Sequence, residues 1–134
     1  ASTRSGNTWI DASRGAIEFE GEARSNPNLK PEIAAPGQDI ISTNNPELGV
    51  PYASSSGSSV STVFVTAALA LILEAHGEEL EIVSQEQGVD VAREVLKSGL
   101  MDSAKSDLEG HDDRLGYGLL NAFGWERSVA ESLT

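Results

Sequence analysis

The stretch that most restricts what this chain can become is Tyr52 to Gly77, YASSSGSSVSTVFVTAALALILEAHG, where a Ser/Gly run turns abruptly into an apolar segment. From Val60 to Leu73 the only polar residues are Ser61, Thr62 and Thr66, all near its start. The segment is too short to cross a bilayer as a helix. It is long for a strand and rich in Ala and Leu, which predicts a helix buried on most sides. His76 and Gly77 read as its end: a basic group in the last turn, then a residue that tolerates a left-handed backbone. Gly57-Ser58-Ser59 read as its start, where small hydroxyl residues cap free N–H groups.

A serine in that place has two readings. One is an ordinary N-cap. The other is chemical: a helix N-terminus carries partial positive charge and unpaired N–H donors. A negative oxygen forming on a substrate carbonyl there is stabilised by that field and by the serine's own N–H. On this reading Ser58 or Ser59 is a nucleophile with part of an oxyanion hole in the backbone.

Four ordered blocks bear on the choice. Ser56-Gly57-Ser58-Ser59-Val60-Ser61 resembles the S-G-T-S-M-A signature around the active serine of subtilisin-like serine proteases. Lys30-Pro31-Glu32-Ile33-Ala34-Ala35-Pro36-Gly37, followed by Ile40-Ile41-Ser42-Thr43, resembles the family's K-P-D-I-x-A-P-G stretch and the strand after it. Gly116-Tyr117-Gly118-Leu119-Leu120-Asn121-Ala122 is similar to G-Y-G-x-x-N-A, and Asp11-Ala12-Ser13-Arg14-Gly15 to an S-x-R-G turn. The resemblance puts the nucleophile at Ser59. It puts Ser58 where threonine is usual, and a substrate and oxyanion contact along Gly57, Ser58 and the Ser59 backbone. This chain departs from the pattern at Val63, where the family has proline, at Ala67, where glycine is common, and at Phe64 and Thr66.

The resemblance implies an α/β fold: the C-terminal part of a subtilisin-like three-layer domain, with a mostly parallel sheet and a buried helix starting at the nucleophile serine. The implied chemistry is peptide-bond hydrolysis through an acyl-enzyme. The family's triad runs Asp, His, Ser along the chain. The two histidines here, His76 and His111, both follow Ser59. The expectation is therefore that residues 1–134 are the C-terminal portion of a catalytic domain. The histidine, the aspartate and the oxyanion asparagine would all lie before Ala1, and the piece alone would be inactive. Expected partners are a peptide or protein substrate and the missing N-terminal half, with self-association as the other way to cover an exposed sheet edge. A catalytically dead relative serving as a binding or scaffold module is the alternative. An α/β-hydrolase esterase fits less well, because its elbow wants Gly where Ser61 stands.

Composition narrows the partners. The chain has 21 acidic and 9 basic residues, a formal charge of −12, which argues against nucleic-acid and anionic-membrane partners. With no cysteine it has no disulfide, which neither requires nor excludes an extracellular setting. No cofactor is expected. Asp102 to Arg114 is acidic and contains His111, but its spacing matches no metal loop, so calcium in a complete family member is not assignable here.

The remaining elements are coarser. Thr8-Trp9-Ile10 reads as a short strand, Glu18 to Glu22 as a solvated acidic loop, and Asn26-Pro27-Asn28 as a turn. Glu32–Ala35, Ile40–Thr43 and Tyr52–Ser55 read as strands, with a loop over Asn44–Val50. Glu78 to Gly88 reads as mostly exposed, with Leu80, Ile82 and Val83 as anchors. Val89 to Leu100 has helical spacing, and Asn121 caps a terminal helix to about Leu133. This order suits part of an α/β domain with a mostly parallel sheet.

Overall fold

The computed structural model describes the chain except for residues 4, 16–17, 20, 24–28 and 107–109. The expected turn at Asn26-Pro27-Asn28 lies outside the described residues. The acidic stretch before it is a small ladder: β1 (Glu18–Phe19) pairs antiparallel with β2 (Glu22–Ala23), Glu18 opposite Ala23. The solvated loop expected there is corrected to this hairpin. Thr8-Trp9-Ile10 is not a strand either: Thr8 makes one bridge to Ser2, and Ile10 sits in a turn.

The Lys30–Gly37 stretch is extended, but it pairs through single bridges and not through a ladder. Ala34 bridges Leu119 and Ser2 bridges Pro36, both in parallel sense. Ala34 N–H donates to the Gly118 carbonyl at 2.9 Å, and Leu120 N–H donates to the Ala34 carbonyl at 2.8 Å. On the other side Ser2 N–H reaches the Ala35 carbonyl at 2.9 Å. Ala34 and Ala35 are buried between these neighbours. The strand expected over Glu32–Ala35 is thus present in position, with parallel contacts, but too sparsely bonded for a named strand.

Next come β3 (Ile40–Thr43) and β4 (Tyr52–Ser55), antiparallel with Ile40 opposite Ser55 and Thr43 opposite Tyr52. Ile40, Ile41, Thr43 and Tyr52 are residues that suit a strand. The link is more ordered than a plain loop: a single 3₁₀ turn, Pro46–Leu48, is capped by Asn45, whose side chain accepts from Glu47 N–H at 3.1 Å. β4 delivers the chain directly to the serine turn.

α1 (Ser58–Gln87) begins there and runs for 30 residues. The expected stop at His76-Gly77 is instead a break inside the helix, with His76 at φ −130° and ψ 15°. The helix resumes because Leu80, one turn on, is buried and gives the second half an anchor. Gly88 ends it, with its N–H on the Ser84 carbonyl at 3.1 Å. At this length α1 could cross a bilayer, with a mean hydropathy of 1.7 over its most apolar window, so the length argument against a span does not hold. Its packing is that of a domain helix. Ala68 and Ile72 form the core with Trp125 and Val129, flanked by Val65, Leu69, Leu96 and Leu100.

α2 (Val89–Asp102) and α3 (Ala122–Leu133) supply the rest of that core. Trp125 is buried, and its indole N–H donates to the Leu96 carbonyl at 2.8 Å, which satisfies its one polar atom. Asn121 caps α3 by accepting from Gly124 N–H at 3.2 Å, as its position before an apolar run predicts.

The outer face of α1 is less covered than its composition predicts. Val63 and Leu71 are each 65% exposed, and Phe64 and Leu73 are also exposed. Only Ser61, Ala68, Ile72 and Leu80 of this helix are buried. A helix apolar on all sides is packed here along one face, because α2 and α3 both lie against that face.

Candidate active site

The serine turn is built by two glycines. Gly57 has φ 156° and ψ 163°, a conformation that side chains disfavour, and it precedes α1 without a side-chain cap. Its N–H donates to the Gly37 carbonyl at 2.7 Å, which ties the turn to the end of the Lys30–Gly37 stretch. Gly37 is needed for a different reason. A Cβ there would fall 2.6 Å from the Gly57 carbonyl and closer still to the Ser61 hydroxyl.

Ser58 and Ser59 are the first two residues of α1, and both are exposed. Neither hydroxyl has a partner among the described residues, and neither N–H finds an acceptor there. The first intrahelical bonds begin later: Val60 N–H and Ser61 N–H both reach the Gly57 carbonyl, at 3.2 and 3.4 Å. Two free donors at a helix start, beside an unpaired hydroxyl, are the local ingredients for holding a developing negative oxygen. Gly57, Ser58 and Ser59 are thus brought together at one turn.

The two serines face different ground. Ser58 lines a cleft of about 440 Å³ with Arg14, Lys30, Pro31, Glu32 and Arg114. Ser59 opens on an apolar hollow of about 480 Å³ formed by Ile40, Ile41, Ser55, Val63 and Phe64. This hollow lies between the β3–β4 hairpin and the first turns of α1.

Neither histidine of the chain bonds to Ser59. His76 is 17 residues further along the same helix, roughly 25 Å at a helical rise. Its Nε2 is 2.9 Å from Glu126 Oε1 on α3. His111 Nε2 meets the Pro31 carbonyl at 2.9 Å, and its ring stands edge-on to Tyr117. The acidic loop around His111 shows no group of three metal-ligating side chains among the described residues; Asp107 and Glu109 lie outside them. Asp112 serves a turn instead. It accepts from Leu115 and Arg114 N–H at 2.8 and 2.9 Å, and those two bonds hold its carboxyl below the ordinary carboxylate range.

Glu32 lines the Ser58 cleft, and its surroundings act on its charge in opposite directions. Burial pushes its carboxyl up. The hydrogen bond from Lys30 and the charges of Lys30 and Lys97 outweigh this and leave it below its ordinary value.

The model of the Subtilase family matches residues 1–125. The chain belongs to the Subtilase family. The C5a peptidase of Streptococcus pyogenes is 37% identical to this subtilase over 73 residues, covering 53% of the chain and 6% of that protein. The serotype M1 C5a peptidase matches to the same extent. Among solved structures, the CspB protease of Clostridium perfringens superposes with a TM-score of 0.57 at 22% identity, covering 87% of this chain and 26% of that one. That likeness shows the fold, an α/β subtilisin-like domain. This subtilase spans a small fraction of the curated relatives it matches.

Within the family frame, one departure changes meaning. Val63 is the sixth residue of α1, beyond the first turn. Its N–H lies past the four donors that a helix start leaves free, so a proline there would remove a backbone bond. Sequence reasoning missed Ser61 altogether. Its signal was a hydroxyl inside a run otherwise bound for a core, where it must find a partner.

Proposed function

We propose that this subtilase is part of a serine endopeptidase and that Ser59 is its nucleophile. The observation that carries this is the unpaired, exposed Ser59 hydroxyl at the start of α1, beside free backbone donors. Ser59 Oγ attacks the scissile carbonyl of a peptide or protein substrate, and its proton passes to a histidine held by an aspartate. The histidine comes from outside residues 1–134, since both histidines here are engaged elsewhere, and the family order Asp, His, Ser puts the aspartate before it. Ser59 N–H donates to the oxyanion, and Gly57 and Ser58 shape that side of the site.

On this reading residues 1–134 are the C-terminal portion of the catalytic domain. The bare flank of α1, with Val63, Phe64 and Leu71, receives the remainder of the domain or, in its absence, a second copy. The piece alone is inert, because a serine without a base stays protonated at neutral pH. The test is hydrolysis of a peptide substrate by the domain carrying the histidine and aspartate. We expect turnover that Ser59→Ala abolishes; activity surviving that change would refute the assignment.

A further inference from the structure

We propose that Ser61 is the positioning residue for Ser59: its hydroxyl pins the first turn of α1 to the Lys30–Gly37 stretch and so sets where the nucleophile points. The proposal rests on Ser59 being the nucleophile.

Ser61 is one of two buried polar residues, at 7% exposure, among the described residues. Its Oγ donates to the Ala35 carbonyl at 2.8 Å, a bond across 26 residues of chain. The same carbonyl accepts from Ser2 N–H, so the anchor is itself held from the other side. Ser61 follows Ser59 by two residues, which places the two side chains about 200° apart around the helix. One therefore faces the extended stretch while the other faces the hollow under the hairpin. A bond that fixes the roll of the helix at Ser61 fixes the direction of Ser59.

Among the described residues no other side chain ties the first turn of α1 to another segment; the Ser56 hydroxyl, which accepts from Asp39 N–H at 2.9 Å, holds the chain before Gly57. The N-cap, Gly57, has no side chain with which to cap, and the Thr62 hydroxyl bonds within its own helix, to the Ser58 carbonyl at 2.9 Å. The backbone bond from Gly57 to Gly37 holds the turn before the helix, and core packing holds α1 from Val65 onward, so between them Ser61 is what ties the first turn itself. The family signature has alanine where Ser61 stands and proline where Val63 stands. The tether is thus not part of the family signature.

The test compares Ser61→Ala and Ser61→Thr in the domain that carries the full triad. In Ser61→Ala we expect kcat on a peptide substrate to fall about tenfold with KM within twofold of wild type, because misdirection of a nucleophile is felt in the chemical step. Ser61→Thr keeps the hydroxyl and should recover most of that loss. Amide hydrogen exchange at Val60, whose N–H is bonded to the Gly57 carbonyl, should quicken in Ser61→Ala alone. Turnover undiminished in Ser61→Ala, or a change confined to KM, overturns this proposal and leaves Ser59 as nucleophile. A wild-type domain that does not use Ser59 overturns both.

Discussion

Gly57 N–H donates to the Gly37 carbonyl at 2.7 Å, so the residue before the serine helix is bonded to the residue that ends the Lys30–Gly37 stretch. The approach is close enough that Gly37 has no room for a side chain. Two segments 20 residues apart are thereby held as one turn, with Ser59 on its open side.

Gly37→Ala tests that closeness. The added methyl meets the Gly57 carbonyl and the Ser61 hydroxyl, and backbone must move to admit it. We expect a loss of about 1–3 kcal/mol in denaturant unfolding, the usual range for overpacking. A loss below about 0.5 kcal/mol, the size of an ordinary surface change, would mean the turn yields freely.

The three-helix core makes a second prediction. Ile72 is 1% exposed and packs with Trp125 and Val129. Ile72→Ala should cost about 2–5 kcal/mol, from lost burial plus the cavity left behind. Leu71→Ala, next to it but on the bare flank, should cost far less in the same assay.

Acid should weaken the contact at Glu32. Its folded carboxyl titrates below its unfolded value, so its contribution is present above the unfolded value of about 4.3 and is lost as pH falls through the folded one. The group is partly exposed, so the effect is at most about 1 kcal/mol. Glu32→Gln should therefore be less stable than wild type at neutral pH and match it in acid. A constant difference across that range would show that the Lys30 and Lys97 contacts are not responsible.

The bare flank of α1 predicts association. Residues 1–134 alone should elute larger on gel filtration as concentration rises. Added salt should favour the larger form by screening the charge of −12. A monomer at every concentration and salt level would count against a covering partner for Val63, Phe64 and Leu71.

Much of this was legible in the sequence where local chemistry decides structure. Asn121 before an apolar run marked the start of α3, and Ile40–Thr43 and Tyr52–Ser55 marked the hairpin. The serine turn was legible because Gly57 and two hydroxyls interrupt the pattern at once. What failed depended on distant partners. His76-Gly77 looks like a helix end, but burial of Leu80 carries α1 past it. Glu32–Ala35 looks like a strand, yet its neighbours, Ser2 and Gly118–Leu120, offer single bridges. The tether from Ser61 to Ala35 crosses 26 residues, a separation no local pattern reports.

The central claim is that Ser59 is a nucleophile whose base lies outside these residues. Site-resolved mass spectrometry after treatment with a fluorophosphonate probe tests it most directly. The account predicts no label on residues 1–134 alone and stoichiometric label on Ser59 once the histidine-bearing part of the domain is present. Label on Ser59 in the isolated chain, or on another residue of these 134 in the completed domain, would contradict it.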